Sequence, residues 1–251
     1  MNSGSLERVA VVTGAARNIG RAIALELAGA GTTVVVNARS SFDEAAGVVH
    51  EIEAAGGRAA VELADVSTPE GAQALMDAAV RRFGRIDLLV NNAALRREVS
   101  FDELDWTQWR EVMAVILDGA YLCAHAALPH LRAAGAGAIV NIGGMSAHAG
   151  SSGRAHVIAA KAGLVGLTRA LACDLAPDGI TVNCVVPGLI DTQRGGAAGT
   201  REPAHHAHRT TLLGRRGQPE EVAALVGFLC SDKARYMTGQ VIHANGGAFL
   251  G

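Results

Sequence analysis

Short apolar runs rich in valine and isoleucine alternate along this chain with longer segments in which apolar residues recur at helical spacing. The runs at Val9–Val12, Thr33–Val36, Ala59–Glu62, Leu88–Val90, Ala138–Ile142, Thr181–Val186 and Val241–Ala244 predict seven strands. They are continuously apolar rather than alternating, as strands covered on both faces are. Between them, Arg21–Ala30, Phe42–Ala55, Ala72–Arg82, Trp106–Ala133, His156–Leu175 and Glu220–Leu229 predict helices, several with glycine near the C-terminus. Repeated strand–helix–strand units give a doubly wound, Rossmann-type α/β fold. Its seven-stranded parallel sheet carries helices on both faces, because the crossovers are right-handed.

Composition narrows the function without naming it. A chain of 251 residues with no linker-like stretch is expected to form one domain, residues 1–251. Its 22 basic and 24 acidic residues include no basic block, so nucleic acid is not an expected partner and a small molecule is. No apolar run is expected to reach the roughly 20 residues of a bilayer span, and Met1–Ser5 lacks a signal-peptide pattern, so a cytoplasmic protein without membrane contact is expected. Cys123, Cys173, Cys184 and Cys230 are far apart and read as buried fillers. His205, His206 and His208 cluster in a Pro/Gly/Ala-rich stretch without a cysteine or carboxylate partner, so no metal site is expected.

In parallel sheets of this kind, ligands bind beyond the carboxyl ends of the strands. The first strand runs into Thr13-Gly14-Ala15-Ala16-Arg17-Asn18-Ile19-Gly20 and then a helix. Such a glycine turn lets backbone N–H groups approach a pyrophosphate at a helix N-terminus. The other strands lead into Asp65-Val66, Asn91-Asn92-Ala93-Ala94, Pro187-Gly188-Leu189-Ile190-Asp191-Thr192 and Asn245-Gly246-Gly247. About 189–217 is long for a connection in a compact domain and reads as a substrate lid.

Taken together these motifs resemble the short-chain dehydrogenase/reductase family over practically the whole chain, with spacing similar to its 3-oxoacyl-carrier-protein reductases. The resemblance implies a dinucleotide site built from Gly14, Arg17, Asn18, Ile19, Gly20, Asn37, Arg39, Asp65, Val66, Asn92, Ala93, Lys161, Pro187, Gly188, Ile190 and Thr192. Asn18 replaces the middle glycine of the turn, and asparagine tolerates left-handed backbone angles. The second strand ends in Asn37-Ala38-Arg39-Ser40 with no carboxylate to hold a ribose 2′-hydroxyl. Arg39 and Arg17 suit a 2′-phosphate instead, so NADP(H) is expected over NAD(H).

The same resemblance places a catalytic asparagine, serine, tyrosine and lysine at Ile116, Gly144, Val157 and Lys161. Three of the four positions carry no such chemistry. A substitute proton donor is expected from the loop after the fifth strand, where Ser146, His148 and His156 lie, with Lys161 retained. Arg96 and Arg97 stand at the mouth of the same cleft, either to grip a substrate anion or to face Glu98 and Asp102. Tyr121, in the long fourth helix, is expected to pack.

The expected function is thus an NAD(P)(H)-dependent oxidoreductase with an atypical active site, moving hydride to or from a small C=O, C=C or C=N substrate. A catalytically silent dinucleotide-binding sensor or oligomeric partner is the alternative, and a non-redox use of the fold is a third. The family resemblance implies a homotetramer.

Overall fold

The computed structural model describes residues 7–192 and 210–251. Its strands are β1 (Val9–Val12), β2 (Thr33–Ala38), β3 (Ala59–Leu63), β4 (Leu88–Asn91), β5 (Ala138–Ile142), β6 (Thr181–Pro187) and β7 (Val241–Ala244). All pair in parallel, in the order β3-β2-β1-β4-β5-β6-β7. The helices are α1 (Asn18–Gly29), α2 (Phe42–Ala54), α3 (Pro69–Phe83), α4 (Trp106–Met113), α5 (Gly119–Ala134), the single turn α6 (Ser146–Ala149), α7 (Ala155–Leu175) and α8 (Pro219–Cys230).

Alternate residues of the inner strands feed two separate cores. Val12, Val36, Val90 and Val140 face a layer that includes Ile23 and Leu27 of α1, Ile52 of α2 and Val226 of α8. Val11, Val35, Leu89 and Ile139 face the other layer, with Leu75 of α3, Leu131 of α5 and Leu175 of α7. The inner strands are therefore covered on both sides, which explains their runs rich in valine and isoleucine. The strand order reverses direction between β1 and β4, so the crevice of the sheet opens at their carboxyl ends.

Several expectations shift. The long fourth helix is two α-helices joined by a π turn at Ala114–Asp118. β2 runs on to Ala38 because the buried Asn37 satisfies its side chain on neighbouring backbone rather than in water. Cys173 is exposed, not buried. Trp106 and Tyr121, which lie on α4 and α5, are exposed as well. Two helical stretches, Trp106–Ala134 and Ala155–Asp178, are long and apolar enough by length and composition to span a bilayer. In this fold they are alanine-rich layers against the sheet, with α7 on β6 and α5 on α3. Much of the expected lid, residues 193–209 including His205, His206 and His208, lies outside the described residues.

Candidate cofactor and active site

At the crevice, β1 ends in Thr13, whose hydroxyl is buried. It accepts from the backbone amides of Asn92 and Ala93, both at 3.0 Å, and donates to the Val90 carbonyl at 3.3 Å. Asn92 Nδ2 in turn donates to the carbonyls of Thr13 and Gly14, each at 2.9 Å. These bonds lock the glycine turn to the segment after β4. Gly14 has φ 61°, and a Cβ there would lie 2.9 Å from Ala93 Cα. A Cβ on Gly20 would overlap the Gly14 carbonyl oxygen and lie 2.5 Å from Asn92 Nδ2. Asn18, with φ 52°, adopts the left-handed conformation its side chain tolerates.

Arg17, the N-cap residue of α1, makes no capping hydrogen bond. Gly14 and Gly20 let the turn pack closely on Ala93 and Asn92, and the helix N-terminus beside it fits a dinucleotide pyrophosphate. Ile19 is buried beneath it.

The residues that the resemblance assigns to the adenosine end lie at or just after the ends of β2 and β3. Asn37 accepts from the Gly14 amide at 3.3 Å and donates to the carbonyls of Glu62 (3.1 Å) and Ala64 (3.2 Å). Its side chain is thus engaged by backbone and braces the turn. Arg39 is exposed, and Arg17 makes an exposed ion pair with Glu44 at 3.4 Å. Burial pushes the Asp65 carboxyl up, but the Ser67 hydroxyl (2.6 Å) and amide (3.0 Å), together with Arg39, hold it below its ordinary value. Val66 is buried beside it.

Beyond β6, the Pro187 carbonyl accepts from the Met145 amide at 3.3 Å and Gly188 donates to Ala244 at 3.0 Å. Ile190 is buried, and the partly buried Thr192 accepts from Arg96 at 3.4 Å.

The residues that the resemblance assigns to the reaction end differ in character. Val157 packs with Val112, Ile116, Ala120 and Leu164 in a small apolar cluster between α4, the π turn and α7. One turn along α7, Lys161 is 8% exposed and donates a short hydrogen bond to the Ile142 carbonyl. A Cβ on Gly144 would lie 3.7 Å from Lys161 Cγ, so the lysine stem borders the space that glycine leaves. Burial lowers the Lys161 ammonium to about 8; Cys184 raises it, while Arg96 and Arg154 push it further down.

The three loop candidates separate. Ser146 accepts from Arg154 at 3.1 Å. His148 lies edge-on to His243, with ring centroids 4.6 Å apart, and near Phe249 at 5.9 Å. Burial and then Arg169 lower its pKa. His156 is fully buried, and neither ring nitrogen has a partner among the described residues. Burial, then Arg97 and Arg154, lower its pKa too, keeping the ring neutral. The arginine pair at the cleft mouth also divides: Arg97 bridges Glu111 at 2.7 Å, whereas Arg96 reaches Thr192.

Sequence reasoning missed Thr13 and Arg154. Thr13 reads as the end of a strand, and only the fold brings it to Asn92, far along the chain. Arg154 carries no spacing signal and becomes notable through its contact with Ser146 and its field at Lys161 and His156.

The unpartnered ring of His156 has a measurable consequence. A buried polar group without a partner costs about 1–3 kcal/mol, so His156→Leu is expected to raise the melting temperature by about 2–6 °C. Because its folded pKa is depressed, the unfolded chain binds the extra proton first. The wild-type protein therefore keeps its full stability above the ordinary value of 6.5 and loses it as pH falls below. The variant's loss should be shallower in thermal melts between neutral and mildly acidic pH, and an equal slope would show that the ring is partnered.

Comparison with known proteins agrees with this architecture. The family profile described as Enoyl-(Acyl carrier protein) reductase matches residues 14–248. The 3-oxoacyl-[acyl-carrier-protein] reductase FabG of Staphylococcus aureus (strain N315) is 39% identical over 245 residues, covering 98% of this chain and 99% of the relative. A dehydrogenase/reductase from Sinorhizobium meliloti 1021 superposes with a TM-score of 0.90 at 35% identity, covering 97% of this chain and 95% of that one. The acetoin dehydrogenase YohF of Salmonella typhimurium superposes with a TM-score of 0.87 at 36% identity, covering 96% and 95%. With the sheet order, the crevice at β1 and β4 and near-complete coverage all in agreement, the chain belongs to the short-chain dehydrogenase/reductase family of oxidoreductases.

Proposed function

We propose that this protein is an NADP(H)-dependent oxidoreductase in which Lys161, rather than a tyrosine, gives the proton that accompanies hydride transfer to a small C=O, C=C or C=N substrate. The observation that carries this reading is the buried ammonium of Lys161, lowered to about 8, bordering the space at Gly144. Val157, Gly144 and Ile116 stand at the family's tyrosine, serine and asparagine positions and offer no proton. His148 is turned to His243 and Phe249, and the neutral His156 is sealed from solvent.

Bound nicotinamide supplies the hydride. On the protein side, the Lys161 ammonium donates a proton to the substrate atom that gains the electron pair, and the resulting amine recovers a proton from solvent. An acid with a pKa near working pH is effective in both directions of such an equilibrium. Oxidation of the reduced product uses the neutral amine as base.

For the cofactor, Gly14, Arg17, Asn18, Ile19 and Gly20 would receive the pyrophosphate. Arg39, with Arg17, would hold the 2′-phosphate at the end of β2. Asp65 and Val66 would border the adenine, Asn92, Ala93 and Lys161 the ribose region, and Pro187, Gly188, Ile190 and Thr192 the nicotinamide. Arg39→Ala is expected to weaken NADPH binding by about tenfold or more while leaving NADH binding within twofold, as removal of a charge-assisted phosphate contact implies. Fluorescence titration with both nucleotides checks this. Equal loss for both would mean that Arg39 only stacks on the adenine.

The experiment for the activity is NADPH consumption with a panel of ketones, enoyl thioesters and cyclic imines. His148→Ala and His156→Leu should retain turnover within about threefold; a loss comparable with that of a general acid, about 10² or more, would return the role to a histidine.

The hydrocarbon packing of Val157 against Ile116 favours a second reading, a dinucleotide-binding protein without turnover. Tight NADPH binding with no oxidation across the panel would support it. We also propose a homotetramer in the cytoplasm, formed through the exposed faces of α4, α5 and α7, where Trp106 and Tyr121 stand clear of the core.

A further inference from the structure

Two consecutive residues of β5, Asn141 and Ile142, hold α7 to the sheet through polar bonds. The Ile142 carbonyl accepts from Lys161, and Asn141 Nδ2 donates to the Thr168 hydroxyl at 2.9 Å. Lys161 and Thr168 are seven residues apart, so both face the sheet on one side of the helix, with the buried Leu164 between them. Cys184 of β6 stands beside both, in contact with the Thr168 hydroxyl and interacting electrostatically with Lys161.

The Thr168 hydroxyl donates its own proton to the Leu164 carbonyl at 2.7 Å, and so meets Asn141 as an acceptor. That fixes which way the Asn141 amide points. Its nitrogen is directed to Thr168, and its oxygen accepts from Asn91 Nδ2 at 2.9 Å. Asn91 ends β4, next to the Asn92 that locks the glycine turn. Asn141 and Thr168 are fully buried, so a partner lost there is not replaced by bulk water. Apolar burial is non-directional, whereas an amide and a hydroxyl bond only within a narrow range of distance and angle. This bond therefore limits how far α7 can slide along β5. Lys161 feels any such slide directly, because its carbonyl partner is the next residue of the same strand.

We infer that Thr168 and Asn141 are positioning residues: their bond sets the register of α7 against β5 and so holds the Lys161 ammonium at the Ile142 carbonyl, beside the space at Gly144. The link from this position to turnover rests on the proposed role of Lys161 as proton donor, but the position itself does not.

The chain has two lysines, Lys161 and the exposed Lys233, so the position can be read without any substrate. In full-length protein with isotopically labelled lysine, NMR titration resolves the two, and Lys233→Arg assigns them. Thr168→Val keeps the shape of the side chain and removes the acceptor. Its Lys161 signal should titrate higher than in the wild type by about half a pH unit or more, toward the ordinary 10.5, as the ammonium moves toward water. Thr168→Ser keeps the hydroxyl and should titrate as the wild type does, while Thr168→Ala should follow the valine variant. If the valine variant does not fold, the serine and alanine pair isolates the hydroxyl on its own. Leu175→Val, which loosens the same helix away from this chain of bonds, should lower the melting temperature and leave the Lys161 titration in place.

Turnover is followed separately. In Thr168→Val, kcat should fall by about tenfold or more with KM within about twofold, as misplacement of a reacting group implies. A displaced Lys161 signal in the valine and alanine variants, with no turnover by the wild type, would support the positioning and count against the proton-donor reading. An unmoved signal in both variants, or an equal displacement in Leu175→Val, would overturn the inference.

Discussion

Lys161→Met is expected to lower NADPH-dependent turnover by about 10² to 10⁴, the usual loss when a positioned general acid is removed. The same substitution should make the protein more stable. Burial brings the ammonium from 10.5 to about 8, a destabilising contribution on the order of 3 kcal/mol at neutral pH. Its sign follows from proton linkage. Between about 8 and 10.5 the unfolded chain still holds the proton that the folded chain has released, so stability rises with pH across that window. Methionine fills similar space without charge, although it leaves the Ile142 carbonyl without its donor. A net gain of about 1–3 kcal/mol, or roughly 2–6 °C in melting temperature, is expected, with the pH dependence above 8 removed. Lys161→Arg separates charge from acidity: guanidinium does not release its proton, so NADPH binding should persist while turnover falls as far as in the methionine variant. Substantial turnover by the arginine variant would assign the proton to another group.

The second large effect belongs to the glycine turn. In Gly20→Ala the new methyl group would overlap the Gly14 carbonyl and press on Asn92 Nδ2, which holds the Thr13 and Gly14 carbonyls. Neither obstacle is a flexible side-chain end free to swing away. Overpacking of this kind costs about 1–3 kcal/mol, and displacing Asn92 adds the loss of two hydrogen bonds. The melting temperature should fall by about 4–12 °C, and NADPH affinity by tenfold or more because the turn moves. Gly29→Ala lies in the same helix, and its Cβ would meet nothing within 4 Å. It should be neutral or slightly stabilising. Parallel losses in the two variants would mean that the turn geometry is not what sets the effect.

Much of the scaffold was legible because a largely buried parallel sheet leaves a direct trace: the runs predicted for β1, β5 and β7 begin and end where those strands do. The misses have physical causes. Asn37 reads as a strand terminator, yet its amide is satisfied by four backbone groups and the strand continues through it. The π turn at Ala114–Asp118 leaves no mark in hydrophobic spacing, since both flanking helices keep their apolar faces. Tyr121 reads as a packing residue from its place in the long helix, yet it is exposed on α5.

At the site, motif spacing located the glycine turn, Asn92 and Lys161, because each depends on local backbone. Side-chain direction was not legible. Ser146, His148 and His156 are neighbours in sequence, but one is held by Arg154, one faces β7 and one is buried in the first turn of α7. Arg96 and Arg97 are adjacent and diverge for the same reason.

The central claim, that Lys161 has taken over proton donation on an otherwise retained cofactor platform, is tested most directly by the pH dependence of kcat/KM for NADPH-dependent reduction of whichever panel substrate is turned over. The account predicts a rate that is level at neutral pH and falls tenfold per pH unit above about 8, with the reverse reaction rising through the same value. A reductive rate that stays level from pH 7 to about 10, or breaks near the ordinary histidine value of about 6.5, would contradict it.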